Sequence, residues 1–314
     1  MFSPIKLKRS SILGIDLSAG SIKIIELSQK GNGYYVHGYG RLTFPLHAME
    51  GHVIKDVHTV ALTLKKLVSN AAFVSRKAVV AVPDSAVMTQ VIQIHNNLSE
   101  REIEALVLME TEQYISYPLS ELNIDFKVLG TAPTNPVMQR VLIVATRSEN
   151  VSNWLEVIRR AGLKVNIVDV ESFAIERVIQ HPYLDWPAHE ETKVVVLIHF
   201  GIVNICIYVL QGKNIIYSRE EVIEGEQLCL HIEKMLQYFF SESQAQSVEH
   251  FVLAGEMVNQ LVIKQQVETY FGVDSTLFNP LAMMSFSKKI DQHEIMSMAS
   301  SWMLACGLAL RHFE

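Results

Sequence analysis

GIDLSAGSIKIIEL, Gly14–Leu27, is the stretch on which the fold turns. It reads as two short strands either side of a tight turn. Ser11–Leu17 (SILGIDL) is apolar and bounded by Ser-Ala-Gly, and Ser21–Ser28 (SIKIIELS) follows at once. QKGNG supplies a second turn at Gly31 and Gly33, and Tyr34–Phe44 (YYVHGYGRLTF) returns. Short spacing with glycine in the connections predicts antiparallel hairpins, here a three-strand meander. A helix is predicted near Asp56–Ala71, where Val57, Val60, Ala61, Leu64 and Val68 lie close to one face. Lys77–Pro83 (KAVVAVP) then reads as a short buried strand.

Downstream the rhythm changes. Val87–Ile94 alternates as a strand, and Ser99 with Glu102 forms a capping box ahead of a helix running to about Ser116. Leu122–Gly130 and Arg140–Arg147 read as strands around a loop with Pro133 and Pro136. Ser148 opens a helix with Val151, Trp154, Leu155 and Ile158 on one face, and Gly162 stops it. Leu163–Val170 closes a β-α-β-β-α-β order, a two-layer module in its own right.

The third stretch repeats the first. Val194–Phe200, Asn204–Leu210 and Asn214–Val222 form another meander, followed by a helix with Leu228, Ile232, Met235, Leu236 and Phe239 on one face. A strand at His250–Ala254, a helix near Val258–Phe271 and an apolar helix near Glu294–His312 complete the chain. Two similar halves, each a hairpin sheet followed by a helix, are expected to face each other across a cleft, where ligands often bind.

The 314 residues, 49% hydrophobic, suffice for one large or two medium domains. The formal net charge of −6 provides no basic excess to neutralise phosphates, which argues against a nucleic-acid partner. Cys206, Cys229 and Cys306 are scattered and odd in number, which suits buried thiols in a reducing compartment. Val194–Leu210 (VVVLIHFGIVNICIYVL) approaches the length of a membrane span. His199, Gly201 and Asn204 interrupt it, and its Val and Ile content predicts two core strands bent at Gly201. Lys6, Lys8 and Arg9 form a weakly basic tail with no apolar stretch behind it, so no signal peptide is expected.

Four blocks carry a resemblance. Gly14–Leu27 resembles the first phosphate loop of the actin-like ATPase superfamily, which includes actin, heat-shock chaperones and hexokinase. DVESFAIERV (Asp169–Val178), LQYFFSESQAQSVEHFVLAGE (Leu236–Glu256) and ACGLALR (Ala305–Arg311) follow in order. Together they are similar to the PilM family of type IV pilus assembly proteins. The resemblance implies an α/β, actin-like two-lobed fold of duplicated RNase H-like halves with the inserted module. The lobes would span 1–85 and 172–314 and the insertion 86–171, with the closing helix returning toward the first lobe. The related protein FtsA carries a C-terminal membrane helix and a GspL-like secretion component a transmembrane helix after this fold; neither is expected here.

By the same resemblance, the turn Ser18, Ala19, Gly20, Ser21 would point N–H groups at phosphates. Asp16 would hold a metal-bound water and Lys23 would face the β- and γ-phosphates. Gly201 and Gly255 would be remnants of the second phosphate loop and the adenosine loop. ATP and Mg²⁺ are the cofactors such a site implies, and three losses argue against them. The second loop reads HFGIVNIC (His199–Cys206): His199 replaces an acid, Val203 a glycine and Asn204 a serine. The adenosine loop reads Gly255-Glu256-Met257 where relatives carry glycines. The region between Gly225 and Leu236 is short of a helical segment.

Other patterns are weaker. His47, His52 and His58 are spaced as surface residues rather than zinc ligands, and the methionines from Met283 to Met303 read as core filling. Glu220, Glu221, Glu224 and Glu226 read as a solvated edge. The expectation is therefore a cytoplasmic scaffold at the inner membrane. It would bind the N-terminal cytoplasmic tail of PilN within the pilus assembly complex, with peripheral membrane association through partners and self-association left open. An active actin-like ATPase or sugar kinase and a GspL-like component of type II secretion are the alternatives.

Overall fold

The computed structural model describes residues 11–31, 33–71, 73–181, 186, 193–223, 227–245, 247–256 and 261–314. The basic tail at Lys6–Arg9, the segment around Gly225 with Glu224 and Glu226, and Met257 lie outside them. The chain divides into two compact units, Met1–Ala81 with Val157–Glu314, and Val82–Glu156.

The larger unit begins with the predicted meander: β1 (Ile12–Ser18), β2 (Ser21–Lys30) and β3 (Gly33–Thr43). A small ribbon, β4 (Met49–Glu50) and β5 (Val53–Ile54), precedes α1 (Val57–Asn70). Asp56 caps α1 by accepting from the Thr59 N–H at 3.0 Å. β6 (Lys77–Val82) then pairs parallel to β1.

The smaller unit holds β7 (Val87–His95), α2 (Glu100–Tyr114), β8 (Leu122–Ala132) and β9 (Asn135–Arg147), with the sheet ordered β7-β9-β8. The capping box is formed as expected: Glu102 accepts from the Ser99 N–H at 2.8 Å. Ile103 and Val107 of α2 bury against Val141 and Ile143 of β9, which makes a small core. α3 (Ser148–Arg160) ends before Gly162, whose φ of +79° reverses the chain.

β10 (Lys164–Val170) is the last segment of the β-α-β-β-α-β order, and it hydrogen-bonds in the large sheet beside β6 rather than in the three-stranded one. Ile167 of β10 packs against the central core of the larger unit, which accounts for that choice. α4 (Glu171–Gln180) follows.

The second half repeats the first. β11 (Val194–Phe200), β12 (Asn204–Gln211) and β13 (Asn214–Val222) form an antiparallel meander, so Val194–Leu210 is two strands bent at Gly201, as predicted. α5 (Leu228–Glu242), β14 (His250–Gly255), α6 (Leu261–Phe271) and β15 (Ser275–Leu277) follow, with β14 parallel to β11. β16 (Ser285–Phe286) pairs with β3. The two sheets run β10-β6-β1-β2-β3-β16 and β13-β12-β11-β14-β15, so the shared pattern is third, second, first, fourth, fifth strand in each half.

The single closing helix expected at Glu294–His312 is broken. α7 (Gln292–Ser297) and α8 (Met303–Leu310) flank a 3₁₀ turn, Ala299–Trp302. Serine hydroxyls compete for the backbone there: Ser297 Oγ donates to Glu294 O and Ser301 Oγ to Met298 O, each at 2.7 Å. Every residue of α8 is buried. An added Cβ at Gly14 would lie 2.0 Å from Ala305 O, and one at Gly307 2.0 Å from Ala174 O. Backbone therefore meets backbone where α8 crosses β1 and α4. Arg177 of α4 donates to Gly307 O at 3.1 Å and pairs with Asp169 at 2.9 Å, which ties the Asp169–Val178 block to the closing one.

Two expectations need correction. Cys306 is buried, but Cys206 and Cys229 are only partly so. Met303 fills core, whereas Met283 and Met296 are exposed. No helix among the described residues is long and apolar enough to cross a membrane.

Candidate functional site

The β1–β2 hairpin sets Asp16 directly opposite Lys23 and Ser18 opposite Ser21, with Ala19 and Gly20 between. Asp16, Ser21 and Lys23 are at most 1% exposed, in strands whose remaining buried residues are mostly apolar. Buried charges need partners, and here each has one. Lys23 Nζ lies 2.8 Å from Asp16 Oδ2, and Ser18 Oγ donates to Asp16 Oδ1 at 2.5 Å.

The second half supplies the rest through Glu256. β14 ends at Gly255, whose φ is +101°, and the Glu256 N–H donates to Phe200 O at 2.8 Å. A Cβ at Gly255 would sit 2.1 Å from that carbonyl, so the glycine is required by the packing of β14 on β11. The Glu256 carboxylate accepts from Ser21 Oγ at 2.9 Å and lies 3.2 Å from Lys23 Nζ and 2.7 Å from an Arg41 nitrogen. Burial alone would lower the Lys23 pKa, but the Asp16 and Glu256 carboxylates outweigh it and hold it above the ordinary lysine value.

Over the turn, an added Cβ at Gly20 (φ +85°) would meet Leu46 Cδ2 at 2.7 Å and Ile202 Cδ1 at 3.3 Å. Apolar side chains from both halves thus lie against the glycine that was expected to keep an approach open. Gly201 donates its N–H to Asn204 O at 2.8 Å. The Asn204 amide donates to Glu220, which also holds His52 Nε2 at 2.7 Å. Burial would raise the Glu220 pKa, but His52 and Asn204 bring it below the ordinary value. Ser18, Ala19, Gly201, Asn204, His199 and Glu220 border a cavity of about 30 Å³.

His199 Nε2 is shielded from solvent and has no hydrogen-bond partner among the described residues. Burial, reinforced by Lys23, pushes its pKa down to about 4 from an ordinary 6.5, against the pull of Asp16, Glu256 and Glu220. A histidine depressed in the fold binds its proton more readily when unfolded. Its contribution is complete above pH 6.5 and is lost as the pH falls toward 4. We expect this to remove about 2 to 3 kcal/mol of stability across that window. Urea midpoints at neutral and acid pH should show a shallower acid loss in His199→Gln than in the parent. An equal loss would assign the acid sensitivity elsewhere.

Asp16, Ser18, Ala19, Gly20, Ser21, Lys23 and Gly201 are brought together, and Gly255 positions the residue that follows it. Among the described residues no set of three or more His, Cys, Asp or Glu is arranged to hold a metal ion. His52, read from its spacing as a surface residue, is a hydrogen-bond partner of Glu220 that joins the β4–β5 ribbon to β13. Arg41 and Leu46 were not singled out by sequence. Arg41 has a readable signal, since two successive hairpins place it directly opposite Lys23.

A family model described as type IV pilus assembly protein PilM matches residues 14–234 and 225–313. A solved structure described as a PilM-PilN type IV pilus biogenesis complex superposes with a TM-score of 0.79 at 21% identity, over 98% of this chain and 99% of that one. Ethanolamine utilization protein EutJ from Carboxydothermus hydrogenoformans superposes with a TM-score of 0.54 at 11% identity, over 97% of this chain and 90% of that one. The duplicated sheets are those of the actin-like α/β fold.

Proposed function

The chain belongs to the family of the type IV pilus assembly protein PilM, and from that premise we propose that it is a pilus assembly scaffold that binds the PilN N-terminal tail and does not hydrolyse ATP. The tail would recruit it to the cytoplasmic face of the inner membrane. PilN as partner is supported by the similar structure, which is described as a complex of PilM with PilN.

One observation carries the non-catalytic part. The Ser21 hydroxyl and the Lys23 ammonium, the groups that would face phosphates, are both engaged by Glu256 of the same chain. The surroundings agree. Leu46 and Ile202 lie over Gly20, and the cavity of about 30 Å³ is far below the roughly 300–1,000 Å³ of small-molecule pockets. Phosphoryl transfer rests on positioning and on Mg²⁺ neutralising developing charge. Asp16, the one acid at the first loop, is committed to Lys23 and Ser18. The residues as arranged do not fit a nucleotide's phosphates with their metal.

Two titrations test the reading. A labelled PilN tail peptide should bind the purified protein with micromolar affinity, and added ATP and Mg²⁺ should leave that affinity unchanged. Calorimetry with ATP and Mg²⁺ should show no binding. Tight, metal-dependent ATP binding abolished by Asp16→Ala would restore the ATPase reading, and failure of the peptide to bind would remove the scaffold one.

A further inference from the structure

We propose that Glu256 is the resident occupant of an oxyanion site built by Ser21, Lys23 and Arg41, and that by filling this site it clasps the two halves of the larger unit together. The proposal rests on the reading of the first loop as no longer serving a nucleotide.

Asp16, Lys23 and Arg41 stand directly opposite one another on β1, β2 and β3. Directly opposed residues share a face of the sheet. Lys23 and Arg41 are therefore like charges side by side, an arrangement that is destabilising unless an anion lies between them. Asp16 serves Lys23 alone among these two cations. The missing anion comes from the other sheet. One Glu256 oxygen takes the Ser21 hydroxyl and the Lys23 ammonium, and the other takes the Arg41 guanidinium. A hydroxyl, an ammonium and a guanidinium converging on two oxygens is the donor set that binds phosphate-type anions.

The charges balance, two carboxylates against two cations, and the Glu256 side chain is only 4% exposed. Its backbone is anchored by Gly255 and by the bond to Phe200 O. The contact joins residues 235 positions apart, so it belongs to the closure of the two sheets rather than to local structure. As a tethered group, the carboxylate acts at a high effective concentration that free phosphate in solution does not match.

The test uses inorganic phosphate as the probe, on the full chain, at constant ionic strength so that charge screening is held fixed. Glu256→Ala should lower the Tm, and phosphate should recover at least half of that loss while leaving the parent protein unmoved. Adding Arg41→Met to Glu256→Ala should weaken the phosphate effect at least tenfold. An equal response of parent and Glu256→Ala, or no response of the variant, would overturn the proposal. Should Glu256→Ala not fold, Glu256→Gln keeps the shape without the charge. In it, amide hydrogen exchange should quicken at both Ser21–Lys23 and Gly255–Glu256; a change confined to the Gly255 side would equally sink the idea. Neither failure touches PilN binding, whereas ATP binding by the parent protein is read in a separate titration and bears on the reading of the first loop as no longer serving a nucleotide.

Discussion

Lys23→Met is expected to destabilise the protein by about 3 to 5 kcal/mol at neutral pH, a large share of the roughly 5–15 kcal/mol available to a folded domain. The variant removes a positive charge that is 1% exposed and leaves Asp16 and Glu256 facing an apolar methionine. Glu256 keeps Arg41 and Ser21, so most of the cost falls on Asp16, whose other partner is the Ser18 hydroxyl. The variant also has a diagnostic pH profile. Carboxylates stripped of their cation have folded-state pKa values above the ordinary range near 4, so the fold takes up protons that the unfolded chain does not. Stability relative to the parent should therefore recover as the pH is lowered toward 4. The parent's own Lys23 has its pKa raised, so its contribution is complete below 10.5 and is lost only as the pH rises beyond that. Denaturant midpoints of both proteins at pH values between those limits check the sign. A deficit that does not shrink in acid would mean that lost packing, and not charge, is the cause.

Gly307→Ala is expected to cost about 3 kcal/mol or more, although alanine is the better helix former by about 1 kcal/mol. The added Cβ would lie 2.0 Å from Ala174 O and 2.6 Å from its carbonyl carbon, both rigid backbone atoms of α4. Relief requires the two helices to separate, and α8 has β1 against its other side through Gly14. Arg177, which donates to Gly307 O, would be displaced with them. Gly33→Ala is the control, since its nearest obstacle is Lys30 O at 3.9 Å, and it should be nearly neutral. Thermal or denaturant unfolding of the pair measures the contrast. Equal stabilities would refute the close packing at Gly307.

The duplication is legible in the sequence because each meander is a local object. Its turns carry glycine, and its strands are short runs of β-branched residues. The capping box at Ser99 and the stop at Gly162 are likewise written within a few residues of where they act. The fate of β10 is not local. Its alternation is that of any half-buried strand, and only the core that receives Ile167 decides which sheet it joins. The break before α8 is hidden for a similar reason, since apolar content runs across it and masks the serines that bend the backbone.

At the site, Asp16 to Lys23 could be read because one hairpin aligns them. Glu256 could be read only as an obstruction, since nothing in a linear sequence shows that residues 235 apart will meet. Arg41 lay within reach of hairpin arithmetic. His52 did not, because its partner Glu220 stands on a strand of the other half.

The seating of α8 against β1 also bears on how the molecule is made. Nearly the whole chain separates Gly14 from Ala305, yet the two backbones touch. At the roughly 5–20 residues per second of translation, the first strand waits on the order of 15–60 s for the helix that covers it. Throughout that interval the nascent chain carries an uncovered apolar sheet face. Transiently exposed apolar surface of that kind is prone to aggregation, so the interval before α8 emerges is when the nascent chain calls for chaperone cover.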